Sequence, residues 1–224
     1  DANEGALSRR QIVYKLHGLS FREFLAFEHA YTMANPVSLE DLLQNHVKIA
    51  SQITNKIKIL PYFEQYLQYG YYPFYISNPI DYHSLIEQTT NYIIDVELPQ
   101  QRRVDPSNCR KIKALLYILA QQVPFDVDIS KIAAAVALQR NTVLEYLNHM
   151  NEAKLISLLY SDLLSVKKMQ KPDKIYLDNP NLMYGLSQHI DKGTIREVFF
   201  NNQLQNAHQL LLPSKGDFMV DDKY

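Results

Sequence analysis

Arg140, Asn141 and Thr142 open a helical run that reaches Asn151, and the start of such a helix is where DNA-reading proteins present side chains to base edges. Lys167, Lys168 and Lys171 fall in a polar stretch between two short β-like runs, where a wing loop would bring ammonium groups toward phosphates. Arg9 and Arg10 stand just before the run Gln11 to Leu16. A guanidinium fork matches a phosphate there, although such a pair is more commonly a solvated charge. Tyr62, Tyr66 and Tyr69 recur at helical spacing with Tyr71, Tyr72 and Tyr75 beyond them, which suits either a stacking platform for bases or, as the commoner outcome, a core. Cys109 lies beside Arg110 and Lys111 at a helix start, a setting that lowers a thiol pKa, yet no histidine partner is in view and an inert thiol is expected. The 7 histidines never fall at metal-ligand spacing with carboxylate or cysteine partners, so no metal is assigned to them. There is no GxSxG elbow either.

The elements that must position these residues follow from periodicity. Ser20 with Glu23 forms a capping box ahead of an apolar helix, and Ser38 caps an amphipathic helix that runs to Ile53. Leu60 to Gly70 is a further helix with Gly70 as its stop, and Ser84 to Val96 is another. Pro99 to Pro106 carries two prolines, two arginines and no apolar period, and reads as a boundary. Beyond it come Ser107 to Gln122, Ser130 to Val136 with Ser130 as cap, and Arg140 to Asn151, all helical, with only Ala137, Leu138 and Gln139 between the last two. Small Ala133, Ala134 and Ala135 are expected to pack in that tight turn against Val143, Tyr146, Leu147 and Met150. Leu155 to Tyr160 and Lys174 to Leu177 are strands, and three helices followed by a β-hairpin make a winged helix.

Composition removes several function classes. Six glycines, at positions 5, 18, 70, 185, 193 and 216, make no GxxxxGK or GxGxxG loop, so this chain cradles no nucleotide phosphate of its own. With 46% hydrophobic residues in 224, the chain can build real cores in one to two domains. A single cysteine rules out an internal disulfide framework and suits a reducing cytoplasm. No stretch is apolar enough for a membrane span or a signal peptide, so no membrane partner is expected. The net charge of −1 hides an excess of four basic residues from Arg102 to Asp178 and an excess of five acidic residues elsewhere. Glu145 and Glu152 share a helix with Arg140, so DNA contact and protein contact both stay open for the winged helix.

Ser8-Arg9-Arg10, Tyr14-Lys15-Leu16 and Gly18-Leu19-Ser20-Phe21-Arg22-Glu23-Phe24-Leu25, then Tyr66-Leu67, Gly70 and Tyr72-Pro73, then Thr142-Val143-Leu144-Glu145-Tyr146-Leu147 and Lys174-Ile175-Tyr176-Leu177-Asp178-Asn179-Pro180, together resemble the prokaryotic, archaeal-type AAA ATPases. Members of that family follow their nucleotide-binding core with a helical lid, a winged helix and a domain resembling restriction endonucleases. The resemblance implies residues 1–30 as the end of the core, 31–104 as the lid, 105–180 as the winged helix and 181–224 as an incomplete start of the nuclease-like domain. It implies ATP and Mg for the full-length protein, and no cofactor in this portion, which lacks the Walker motifs and is expected to be inactive. Arg9 or Arg10 takes the place of a residue that senses nucleotide, and Asp217 that of a first metal-binding acid. The expected partners are DNA, the protein's own AAA core and a second copy, the last segment either packing onto the winged helix or exchanging strands with that copy.

The fold class expected is therefore mainly α: a helical lid bundle, a winged helix and a partial α/β segment. The lack of an initial Met and the end after an apolar run suggest a piece of a longer cytoplasmic protein. Rival readings are a stand-alone winged-helix transcriptional regulator and a truncated nuclease-like protein.

Overall fold

The computed structural model describes residues 16–32, 37–121, 127–161, 170–187 and 189–221. The expected strand from Gln11 lies outside them except for Leu16. The described chain is mainly helical with two small two-stranded sheets, as the periodicity implies. It forms two compact units, one over His17–Tyr82 and one built from His83 onward.

In the first unit, α1 (Phe21–Phe27) starts from the capping box: Ser20 Oγ accepts from the Glu23 N–H, and the Glu23 carboxylate accepts from the Ser20 N–H at 2.7 Å. α2 (Leu39–Thr54) is capped by Ser38, whose Oγ accepts from the Asp41 N–H at 3.0 Å. Its apolar stripe does not go inside, since Leu42, Leu43 and Val47 are all exposed. Periodicity reports that a helix has an apolar face, not what covers it. α3 (Ile59–Gln65) runs into a π turn (Tyr66–Gly70) and then a 3₁₀ turn (Pro73–Tyr75).

The core of this unit is aromatic, with Phe24, Tyr66, Tyr71, Tyr75 and Tyr82 all buried. Phe21 and Phe24 meet Tyr66 with ring centroids 5.4 and 5.5 Å apart, and Phe24 meets Tyr75 at 5.7 Å. Such offset and edge-on pairs add to the apolar area they bury. The hydroxyls are satisfied within the unit: Tyr66 donates to the Leu19 carbonyl at 2.6 Å, Tyr75 to Glu28, and Tyr82 accepts from the Tyr72 N–H. Of the tyrosine stripe, Tyr66, Tyr71 and Tyr75 are core, and Tyr62, Tyr69 and Tyr72 are half-buried. Gly70 does not serve as a left-handed helix stop. A Cβ there would lie 2.5 Å from the Tyr66 ring and 2.8 Å from the Phe24 ring, so glycine is present for close approach.

In the second unit, α4 (Tyr82–Tyr92) continues through a π turn (Ile93–Glu97) into α5 (Leu98–Arg102), so the stretch expected as a linker is partly helical, with Pro99 in its first turn. Proline lacks the N–H that a continuing helix would use, and it follows directly on the widened π turn, where the Leu98 N–H reaches back to Ile93. A 3₁₀ turn (Pro106–Asn108) capped by Asp105 leads into α6 (Cys109–Gln121). α7 (Ile129–Ala135) and α8 (Arg140–Glu152) follow, then β1 (Ile156–Leu159) and β2 (Lys174–Leu177), paired antiparallel from Ile156↔Leu177 to Leu159↔Lys174. α9 (Pro180–Leu186), α10 (Lys192–Leu204) and the short antiparallel pair β3 (Leu210–Leu211) and β4 (Met219–Val220) complete it.

The core here is aliphatic: Ile112 and Leu115 of α6, Ile129 and Ile132 of α7, Val143, Leu147 and Met150 of α8, and Ile156 and Leu159 of β1 are buried. Of the three alanines expected to pack in the turn, only Ala133 is buried, and Ala134 and Ala135 face solvent. The cap of α7 is Asp128 rather than Ser130, with its Oδ1 accepting from the Ser130 and Lys131 N–H groups at 3.0 and 3.1 Å. Asp128→Ala is expected to cost about 1 kcal/mol in urea unfolding. Ser130→Ala should stay within about 0.5 kcal/mol of the parent.

Beneath the first hairpin lies a layer of buried polar side chains, Ser157, Asp178, Asn179, Asn181, Asn201 and Asn202. Asn201 donates to Ser157 Oγ at 2.8 Å, Ser157 to Gln205 Oε1 at 3.2 Å, and Gln205 in turn to Asp178 Oδ1 at 3.2 Å. Asn202 donates to the Asp178 carbonyl, and Asn179 Oδ1 caps α9 through the Leu182 N–H. The layer thus joins β1, the exit of β2, α9 and α10 by hydrogen bonds that have no competing solvent.

Candidate functional site

The start of α8 is the place where sequence-derived candidates and structure coincide. α7 ends at Val136, Ala137 takes a left-handed conformation at φ 52°, and the Leu138 N–H reaches back to the Ala133 carbonyl at 3.0 Å. The chain then turns immediately into α8, whose first residues Arg140 and Asn141 are exposed while Thr142 is half-buried. Gln139 precedes the helix without capping it through its side chain, so the first-turn N–H groups are open to solvent or to a ligand. Lys111 Nζ donates to the Ala137 carbonyl at 3.2 Å, which brings a cation of α6 to the same turn.

Further along α8 the charge changes sign. Glu152 pairs with Arg102 at 2.9 Å, and Glu145 lies 3.7 Å from His149. Arg102 neutralises the first of these carboxylates, and Glu145 stays largely in solvent. Of the loop lysines only Lys171 falls within the described residues, where it is exposed, and Lys167 and Lys168 lie outside them. Arg9 and Arg10 also lie outside the described residues.

Asp217 takes part in a cluster that the sequence did not disclose. Lys174 Nζ of β2 lies 3.1 Å from Asp217 Oδ1 and 3.1 Å from Glu197 Oε2 of α10, and the Tyr176 hydroxyl donates to Glu197 at 2.7 Å. Burial and the neighbouring Glu197 push the Tyr176 phenol far above its ordinary range, so it stays a donor. Phe218 stacks on Tyr176 and tilts against Phe200, which fixes the backbone next to Asp217. An ammonium between two carboxylates is the donor set of an ion-pair hub. Asp217 is thus the ion-pair partner of Lys174, which it shares with Glu197. Among the described residues no group of three or more His, Cys, Asp or Glu side chains is placed to share an ion.

Cys109 is buried at the start of α6, and burial pushes its thiol above the usual value, which matches the inert thiol expected. Asp105 and Asp191 have pKa values held below the ordinary carboxylate value, by hydrogen bonds to Ser107 and to Thr194 respectively. No helix among the described residues is long and apolar enough to cross a membrane.

Helices α6, α7 and α8 with the following hairpin, and α9 beyond it, fall within one recognised sequence family. The family described as a domain of unknown function (DUF8612) matches residues 60–190, more than half of the chain, and the chain belongs to it. No curated protein and no solved structure matches the chain.

Proposed function

We propose that this chain is the regulatory and binding portion of an AAA-type ATP-binding protein, in which a helical lid passes nucleotide state to a winged helix that contacts DNA. The observation that carries the reading is the order α6, α7, tight turn, α8 and antiparallel hairpin, with Arg140 and Asn141 exposed where a recognition helix begins. In this reading α8 enters the major groove by its first turn. Lys171, with Lys167 and Lys168, meets phosphate from the loop between β1 and β2. The lid of this reading is residues 31–104, and the aromatic core of the unit His17–Tyr82 supports it as the stiff part of that moving lid. The nucleotide and its Mg belong to the AAA core, where they supply the energy of that motion, and Arg9 or Arg10 is the residue that reports on them. Asp217 is the proposed first acid of a nuclease-like domain in the complete protein.

The test is binding to duplex DNA as a function of salt. Each phosphate neutralised contributes a slope of about −0.9 in log K against log salt, so Lys171→Ala should flatten the slope by about 1. Arg140→Ala with Asn141→Ala should weaken binding by about 1–3 kcal/mol and relax sequence preference. A second reading, contact with a protein, is favoured by Glu145 and Glu152 on the same helix. Absence of salt-sensitive DNA binding at low ionic strength would leave that reading in place of the first.

A further inference from the structure

The second half of α8, β1 and β3 enclose a half-open groove of about 270 Å³. Its polar lining is made of the carboxamides of Asn148, Asn151 and Gln209 together with Tyr160, and its apolar walls include Leu158 and Leu211. Among the described residues that line it there is no Lys, Arg, Asp, Glu or His.

Two of the carboxamides are held in place by the fold. Asn148 Nδ2 donates to the Leu144 carbonyl at 2.8 Å, and Asn151 Oδ1 accepts from the Leu158 N–H of β1 at 3.2 Å. A carboxamide has two donors and an oxygen with two lone pairs, so Asn148 keeps its oxygen and one N–H, and Asn151 keeps its amino group, for a ligand. They sit three residues apart on α8, which makes them neighbours on one helix face. Tyr160 is buried and its phenol is pushed upward chiefly by that burial, so it remains a neutral hydroxyl. Its carbonyl accepts from the Leu212 N–H at 2.8 Å, which ties the strand carrying Tyr160 to the segment after β3.

We propose that this groove is a binding site for a single uncharged planar ring carrying adjacent amide-type donor and acceptor groups, of the size of a free nucleobase or nicotinamide. Ligand pockets generally begin near ~300 Å³, so a cavity at that lower limit takes a ring and not a whole nucleotide. The described lining agrees, since its side chains are carboxamides, a phenol and leucines, with no cation or carboxylate among them. Paired carboxamide donors and acceptors are the groups that match the edge of such a ring, and the leucines supply apolar contact to its faces. The site is separate from the exposed start of α8, and the inference stands whether that helix meets DNA or protein.

The experiment is a titration of the full chain with uracil, adenine and nicotinamide, each followed by protein-observed NMR. At least one ring is expected to saturate with a Kd below about 1 mM. The largest shifts should fall at Asn148, Asn151 and Gln209, and benzene should not compete. Gln209→Ala changes an exposed side chain, and it is expected to weaken binding about tenfold, or 1.4 kcal/mol, at unchanged melting temperature. Asn148→Leu, which keeps the branched shape and removes the polar edge, should do the same. The proposal is overturned if no ring saturates in the millimolar range, or if both variants bind as tightly as the parent.

Discussion

Asp178→Ala is expected to lower unfolding stability by about 2–3 kcal/mol, because it strips acceptors from the buried Asn179 amide and the half-buried Gln205 amide, where a lost bond costs about 1–3 kcal/mol each. Asp178 is 1% exposed, and its carboxylate accepts from Gln205 at 3.2 Å and more weakly from Asn179 at 3.5 Å. Its main chain has separate partners, the Leu155 carbonyl and the Asn202 side chain, and those survive the substitution. Asp178→Asn keeps one acceptor oxygen in the same shape, so its cost should be about 1 kcal/mol, well below that of alanine. Urea unfolding at unchanged slope measures both. If alanine and asparagine cost the same to within about 0.5 kcal/mol, the buried layer does not act through its hydrogen bonds.

Gly70→Ala is the second large effect, and it arises from too much side chain rather than too little. The added methyl would stand 2.5 Å from Tyr66 and 2.8 Å from Phe24, two rings that are both 0% exposed. The Tyr66 ring is also tethered at its far end by the bond to Leu19, so it cannot swing aside without breaking that bond. Overpacking of this kind costs about 1–3 kcal/mol, and a helix interior would otherwise prefer alanine by roughly 1 kcal/mol, so the sign itself is diagnostic. The near-ultraviolet tyrosine signal should weaken along with the melting temperature. Combining Gly70→Ala with Phe24→Leu opens space at the contact, so the double variant should be less damaged than the two single costs added together. Plain additivity would show that the ring contact is not what excludes the methyl.

Local chemistry was legible where a single residue type decides the outcome. The Ser20–Glu23 box, the Ser38 cap and the strand Lys174–Leu177 were all readable because a hydroxyl three residues ahead of a carboxylate, or a β-branched and aromatic run, has few other uses. Asp128 and Ser130 are both good caps two residues apart, and only the backbone conformation chooses between them. The two π turns have no composition of their own, so the helices they prolong were read as simple helices. The polar layer was not legible at all. Asp178, Asn179 and Asn181 look like a solvated exit from a strand until α10 covers them, and that covering is a long-range event.

The candidate site divides in the same manner. Exposure of Arg140 and Asn141 follows from their place ahead of the first buried position of α8, which the heptad-like spacing of Val143, Leu147 and Met150 makes visible. The hub of Lys174, Glu197 and Asp217 and the carboxamide groove both need residues from separate elements to meet. No spacing within one segment announces either of them.

His29, Ala137 and Lys154 share a geometry that bears on how this chain stops its helices. Each follows α1, α7 or α8 in the left-handed region, at φ 52°, 52° and 59°, and in each case the next N–H reaches back five residues, to Leu25, Ala133 and Met150. Glycine normally occupies that position, and other residues lose about 1–2 kcal/mol there. The sequence has 6 glycines and spends none of them on these three joints. At the end of α8 the halt goes with the seating of Leu155 in the core behind Lys154, whereas Ala30 and Leu138, behind the other two joints, are half-buried. The stop of α8 is thus tied to the core through Leu155, and a smaller side chain there should let that helix overrun its end.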